Sequence, residues 1–324
     1  MRQTVAVVIV NYNGGEMLDR CLSALAHQAR VPDRVVLVDN NSDNFSADHA
    51  SSIYPGIELL AQDENLGFAV ANNLAVDHLE GMDWIALLNP DAYPEPGWLE
   101  QLLDAAARYP DYALFGSHML SADGVTMDGT GDVYHVSGAV WRRDYGKPAA
   151  TSCTDDDEIF APSAAAALVR RAAFIQAGGF AEDFFCYMED IDLGFRLRLL
   201  GYRALHVASA RVTHEGSGVV GEYSDFHVYH GHRNLVWVYI RDMPGHLLWL
   251  YLPQHLLYNL ASVILFMLRG KAGTILRAKR DALVGLGKAW RQRREIQSAA
   301  VVSPAKLKPH MSRRILAPYL YRNE

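Results

Sequence analysis

The stretch Trp84-Ile85-Ala86-Leu87-Leu88-Asn89-Pro90-Asp91 decides how this chain folds. Five apolar residues in a row, with no polar alternation, read as a strand covered on both faces, as in a parallel sheet between helices. Pro90 cannot continue a hydrogen-bond ladder, so the chain turns there. Asp91 then stands at the carboxyl edge of a buried strand, where open α/β sheets take their ligands. Two roles stay open for it: a ligand for a metal held against phosphate, or, with Asn89, a turn and cap residue for a helix from Trp98 to Tyr109.

The same unit repeats upstream. Val5 to Val10 reads as a buried strand, Asn11 to Gly15 as a turn, and Leu18, Leu22 and Leu25 as the apolar stripe of a helix. Val35 to Val38 is a second strand, ending at Asp39-Asn40-Asn41-Ser42-Asp43. Ile57 to Leu60 is a third, followed by Asn65-Leu66-Gly67-Phe68 and a helix to about Leu79. Units of this length join parallel strands through right-handed crossovers, so the polar clusters behind the strands should meet in one crevice. No G-x-G-x-x-G follows the first strand and no G-x-x-x-x-G-K-[ST] occurs, which counts against nicotinamide enzymes and P-loop proteins. A nucleotidyltransferase loses support too, because the first strand lacks a glycine-rich, lysine-bearing loop.

From Ser121 to Asp157 glycines punctuate a loop-rich segment suited to covering the crevice. Its acidic run, Asp155 to Glu158, reads as a solvated loop rather than a metal site. Ala164 to Val169 restores a strand. The aromatic run Phe184 to Met188 then leads into Glu189-Asp190-Ile191-Asp192, a helix start whose acids suit the dipole. Asp192 and Arg196, at i,i+4, read as a surface ion pair. Glu189 and Asp190 have no such partner. Beside aromatic residues they are either ordinary helix-start acids or a desolvated carboxylate suited to base work.

These pieces, in this order, resemble the inverting nucleotide-sugar glycosyltransferases of family 2, whose fold is GT-A. The resemblance rests on Val8 to Asn13, Val38 to Asp43, Asn65 to Ala69 with Asn72-Asn73, Leu88 to Ala92 in its rhamnosyltransferase-like form, Tyr187 to Leu193, and Val212 to Ser217. It implies a Rossmann-like, mostly parallel α/β sheet flanked by helices. It further implies that Asp39 and Asn11 bind the base or ribose of the donor, and that Asn65 and Gly67 lie against the nucleotide. Asp91 and His214 would hold Mg²⁺ or Mn²⁺ on the diphosphate, with Asn89 standing where the family usually has a second metal aspartate. Asp190 would be the general base. Read alone, His214 is a structural or solvent-facing histidine, since an isolated His lacks ligand spacing.

With 324 residues, half of them apolar, the chain suggests one large or two small domains. Three cysteines imply no disulfide framework, and the short N-terminal apolar run does not read as a signal peptide, so a cytoplasmic setting is expected. From Arg269 onward there are fourteen Lys and Arg against three acids, a balance of +11; the whole chain carries −7, so the first 268 residues carry −18. An apolar segment from Leu247 to Leu268 has spanning length, but Pro253, Gln254, His255 and Asn259 suit it better to an interface. Behind it Lys271, Arg277, Lys279, Arg280, Lys288, Arg291, Arg293 and Arg294 alternate with apolar residues, a basic amphipathic pattern for anionic lipid. The alternative is a helical hairpin packed on the catalytic domain.

The reading is thus a GT-A catalytic domain over residues 1–243 and a helical, membrane-associating extension over 244–324. The expected function is transfer of a sugar, rhamnose by resemblance, from a nucleotide-sugar donor to a cell-envelope glycan or lipid-linked acceptor. It would act peripherally on the inner face of the cell membrane, and no nucleic-acid partner is expected. The competing reading is a non-catalytic, membrane-associated nucleotide-sugar-binding module.

Overall fold

Strands β1 (Val5–Asn11), β2 (Arg34–Asp39), β3 (Glu58–Ala61) and β4 (Trp84–Leu88) pair in parallel in the order β3-β2-β1-β4. Helices α1 (Glu16–Ala26), α2 (Ala47–Ile53) and α3 (Gly67–His78) make the crossovers. The computed structural model describes residues 2–216 and 224–320. β1 is apolar from Val5 to Val10 because both its faces are covered: Val5, Val7 and Ile9 join a core with Leu18, Leu22 and Leu25 of α1, and Ala6 and Val8 one with Ala71, Ala75 and Val76 of α3.

The chain continues through β5 (Ala92–Pro94), α4 (Trp98–Arg108), β6 (Tyr112–Ser121), β7 (Met127–Gly129), β8 (Asp132–Tyr134), β9 (Val140–Arg142), β10 (Asp157–Ile159), β11 (Ala166–Arg170), α5 (Arg171–Gln176), α6 (Glu189–Leu199) and β12 (Arg203–His214). β11 runs antiparallel between β4 and β6, and β12 lies parallel to β6, completing a ten-stranded mixed sheet. β8 and β9 form a separate hairpin within the loop-rich segment. The short β5 pairs with the end of β12 and sets His214 opposite Ala92, one residue past Asp91. That register is how a histidine late in the chain reaches the edge of β4.

Two sequence expectations change here. The acidic run is a loop only over Asp155 and Asp156, with Asp155 exposed; Asp157 and Glu158 open edge strand β10, and Asp156 pairs with Arg108, Asp157 with Arg143, and Glu158 with Arg198 and Arg203. Asp192 and Arg196 do pair, but at 0% and 6% side-chain exposure they are buried, and Arg241 adds a second cation 3.2 Å away. The i,i+4 spacing identifies the pair and is blind to what covers it.

Helices α7 (Asp225–Asp242), α8 (Leu247–Leu268), α9 (Ala272–Val284) and α10 (Leu286–Ala299) follow. α9 and α10 pack on α7, which packs on α6. α8 is the one helix among the described residues long and apolar enough to cross a membrane, yet its polar residues face protein. His255 sits 2.8 Å from the Ser137 carbonyl and stacks on Tyr239, while Asn259 accepts from Lys279 at 2.6 Å. Its outward face carries Trp249, Leu250, Leu256, Leu257, Leu260 and Ile264, all exposed. The basic pattern divides as well. Lys271, Lys279, Lys288 and Arg293 bond to Asp225, Asn259, Asp183 and the Ile240 carbonyl; Arg293 is buried, Lys271 and Lys279 are half-buried, and Lys288 stays exposed while paired. Arg277, Arg280, Arg291 and Arg294 remain outward.

Candidate active site

At the carboxyl ends of β1 and β2, Asn11 donates to Asp39 Oδ1 at 2.8 Å and to Ser42 Oγ at 3.1 Å, while Asp39 Oδ2 accepts the Ser42 N–H. Asn11 Oδ1 accepts the Gly14 N–H, and a side chain at Gly14 would collide with that oxygen and press on Pro90. The β1 turn therefore touches the Asn89–Asp91 turn directly. Next to it, Asn40 donates to the Gly67 carbonyl, and Asn65 Oδ1 accepts the Gly67 N–H at 2.9 Å, opening α3. Gly67 has φ +78°, and a Cβ there would lie 2.6 Å from the Phe185 carbonyl oxygen. The main chain of Asn89 holds the turn: its N–H donates to Ala165 and its carbonyl accepts from Ala92.

Asp91 and His214 meet at the rim. His214 is buried, with Nε2 3.3 Å from Asp91 Oδ1 but without a hydrogen-bond partner, and Nδ1 2.8 Å from Asp128 Oδ2. Burial alone would depress this imidazole, yet the two carboxylates raise it to about 9. A ring nitrogen facing a carboxylate, its other nitrogen oriented by a second carboxylate, also suits a metal ligand, which would bind as the neutral imidazole after losing that proton. Their 3.3 Å separation fits two ligands each roughly 2.1 Å from one ion. Among the described residues no three His, Cys, Asp or Glu side chains converge as a complete cage. The pair thus fits an ion that takes its remaining ligands from phosphate and water, as Mg²⁺ and related hard cations do.

Asp128 passes the connection on. It pairs with Arg142 at 2.5 Å, and that guanidinium acts electrostatically on Asp132 and Asp190. Asp190 begins α6, with Oδ1 accepting from Ile191 N–H at 2.8 Å and Oδ2 from Ala164 N–H at 3.3 Å. Burial raises its carboxyl above the ordinary range; those N–H groups and Arg142 pull the other way. Neighbouring Glu189 is raised further, by burial and by Asp190. Tyr187, on the other side, stacks on His227 with ring centroids 4.7 Å apart. Arg233 donates to the Asp183 and Phe184 carbonyls.

Contacts thus join Asn11 to Asp39, Asn65 to Gly67, and Asp91 to His214, with the Gly14 turn close to the Asn89–Asp91 turn, while Asp190 lies beyond Arg142 and is linked to it electrostatically. Sequence reasoning missed Asp128, Asp132 and Arg142. The signal was faint: two acids spaced by glycines in Met127-Asp128-Gly129-Thr130-Gly131-Asp132, inside a segment with no periodicity. Ser217, the end of the histidine motif, lies outside the described residues.

A parallel half-sheet with ligand-type side chains at its carboxyl edge, extended by a mixed half, defines the GT-A class of α/β fold. The chain belongs to glycosyl transferase family 2, whose model matches residues 6–178. It is 32% identical over 268 residues to an N-acetylglucosaminyl-diphospho-decaprenol L-rhamnosyltransferase of Mycobacterium tuberculosis, covering 75% of this chain and 85% of that one. It is 27% identical over 224 residues to the O-antigen biosynthesis protein RfbC of Myxococcus xanthus, covering 66% of this chain and 17% of that one. Two solved structures share the fold. A mannosyltransferase from Pyrobaculum calidifontis in complex with GDP-Man and Mn²⁺ has TM-score 0.56 at 16% identity, over 100% of this chain and 89% of that one. GalNAc-T7 with UDP, GalNAc and Mn²⁺ has TM-score 0.64 at 15% identity, over 80% of this chain and about half, 51%, of that one.

Proposed function

We propose that this chain is an inverting, metal-dependent glycosyltransferase that moves a sugar, rhamnose in this reading, from a nucleoside-diphosphate donor to a lipid-linked or glycan acceptor of the cell envelope. The observation that carries the proposal is the run of close contacts Asp91–His214–Asp128–Arg142, which leads from the proposed metal position toward Asp190. The similarity to a rhamnosyltransferase supports the sugar, and the Mn²⁺ in the two related folds supports the metal.

In this proposal Asn11 and Asp39 take the base or ribose, and Asn65 and Gly67 border the nucleotide. Asp91 and His214 hold Mn²⁺ or Mg²⁺, with the Asn89 turn alongside. A divalent ion bound there stabilises the charge of a departing diphosphate. Asp190 accepts the proton of the acceptor hydroxyl as that oxygen bonds to the anomeric carbon and the bond to the diphosphate breaks, contributing about 10²–10⁴-fold. One direct displacement inverts the anomeric centre. Residues 1–243 form the catalytic unit and 244–324 its extension. The exposed apolar face of α8, flanked by Arg277, Arg280, Arg291 and Arg294, rests on the anionic inner face of the membrane.

The test is a binding screen of thymidine-, uridine- and guanosine-diphosphate sugars with Mn²⁺ and Mg²⁺, followed by transfer assays on membrane lipid extracts. Turnover by the native protein, with Asp190→Asn keeping donor affinity but losing transfer, is the expected result. Donor binding without turnover in any assay would instead describe a non-catalytic module.

A further inference from the structure

Immediately before the helix that starts with Glu189 and Asp190, the backbone is unusual. Phe185, Tyr187 and Met188 have φ of 65°, 68° and 73°, three left-handed residues within four positions, none of them glycine. L-residues disfavour this region, and it persists only where the surroundings hold it. The holding group lies on α7. Asn234 is fully buried, and its Nδ2 lies 3.0 Å from the Phe184 carbonyl, 3.0 Å from that of Cys186 and 2.8 Å from that of Tyr187. Its Oδ1 accepts from Arg233 Nε at 2.9 Å, which fixes the orientation of the amide. Arg233 itself takes the Asp183 and Phe184 carbonyls. From the opposite side, the Phe185 carbonyl accepts the N–H groups of Phe68 and Ala69 at the start of α3. Five successive carbonyls, Asp183 to Tyr187, are thus held from two directions.

We infer that Asn234 is a positioning residue: through three backbone carbonyls it holds the left-handed segment that sets Asp190 against the donor side of the crevice. The segment touches both ends of the reaction. It runs directly into Asp190, and the Phe185 ring and carbonyl pack on Gly67 so closely that a Cβ there would be 2.6 Å away. Shape alone does not explain Asn234. An apolar side chain of the same size would fill the space and leave the Cys186 and Tyr187 carbonyls without the donor they have now. An aspartate would place an acceptor against three acceptors.

The inference rests on Asp190 being the base, so the experiment separates the two. Full-length Asn234→Ala, Asn234→Asp and Asn234→Gln are compared with the native protein, with Asp190→Asn and with Leu102→Ala, a core variant far from the crevice. Backbone hydrogen exchange comes first, since it needs no substrate. Exchange over 185–191 should quicken in Asn234→Ala and Asn234→Asp while the β1–β4 core keeps its protection, and Asn234→Gln should recover part of it. With a nucleotide sugar that binds in the presence of Mn²⁺, kcat should fall about tenfold to a hundredfold with donor KM little changed, as for a small misplacement of a reacting group. Leu102→Ala should lose stability without this local signature. Uniform loss of protection in the Asn234 variants, or native exchange over 185–191 in Asn234→Asp, would overturn the inference. Native transfer by Asp190→Asn would overturn only the assignment of the base.

Discussion

His214 Nδ1 and Asp128 Oδ2 lie 2.8 Å apart although 86 residues separate them in the chain. The contact fixes the imidazole so that Nε2 faces Asp91, and under the proposed metal role it makes Asp128 the orienting partner of His214 rather than a ligand itself. Asp128→Ala should therefore weaken Mn²⁺ activation of transfer about 10–100-fold, the usual cost of losing such a partner. A Mn²⁺ titration of initial rates checks this; an unchanged midpoint would remove Asp128 from the metal position.

In the proposed mechanism Asp190 works as a carboxylate, and burial raises its folded pKa. Transfer should be full above that raised value and fall as pH drops through it, giving an acid limb above the ordinary aspartate range. Asp132 and Glu189 are the acids facing it and Arg142 the cation. Since Arg142 stabilises the charged form, Arg142→Gln should move the limb to higher pH. Profiles of kcat against pH for the two proteins decide it, and a limb moving to lower pH would contradict the electrostatic assignment.

The buried Asp192 serves two cations, Arg196 and Arg241, and ties α6 to α7. Asp192→Ala removes the carboxylate paired with both guanidinium groups and leaves buried Asp242 as the acid beside them, so the loss should reach at most about 3–5 kcal/mol, the range for breaking a buried pair from one side. Denaturant unfolding measures it. A loss well under 1 kcal/mol would mean water reaches this network.

Deleting everything after Arg269 is a poor test of membrane binding, because α9 and α10 pack on α7. Surface changes on α8 are cleaner. Leu256→Glu with Leu260→Glu, at positions 60% and 57% exposed, should release the protein from phosphatidylglycerol vesicles without lowering its melting temperature. Arg277→Gln with Arg280→Gln should weaken binding by about 1 kcal/mol per charge and flatten its salt dependence. Co-sedimentation reads both, and native binding by the leucine pair would exclude α8 as the contact.

Much was legible in the linear chain because it obeys local rules. Uninterrupted apolar runs such as Trp84 to Leu88, bounded by turn residues and alternating with helices, read as strands covered on both sides, and parallel pairing of such strands puts Asn11, Asp39 and Asp91 on one edge. The amphipathic stripe of α1 and the helix start at Glu189 are equally local. What the tertiary structure alone decided is every relation that depends on register or on what covers a residue. The pairing of β5 with β12 carried His214 to Asp91. The irregular segment between β6 and β10 supplied Asp128 and Arg142, which no periodicity could announce. Packing buried the Asp192 pair and Arg293, tied Lys271, Lys279 and Lys288 to polar partners, and set the polar residues of α8 against protein with its apolar ones outside. Spacing along a chain specifies direction within an element; burial and partnership arise only when two elements meet, and the choice of meeting belongs to the whole fold.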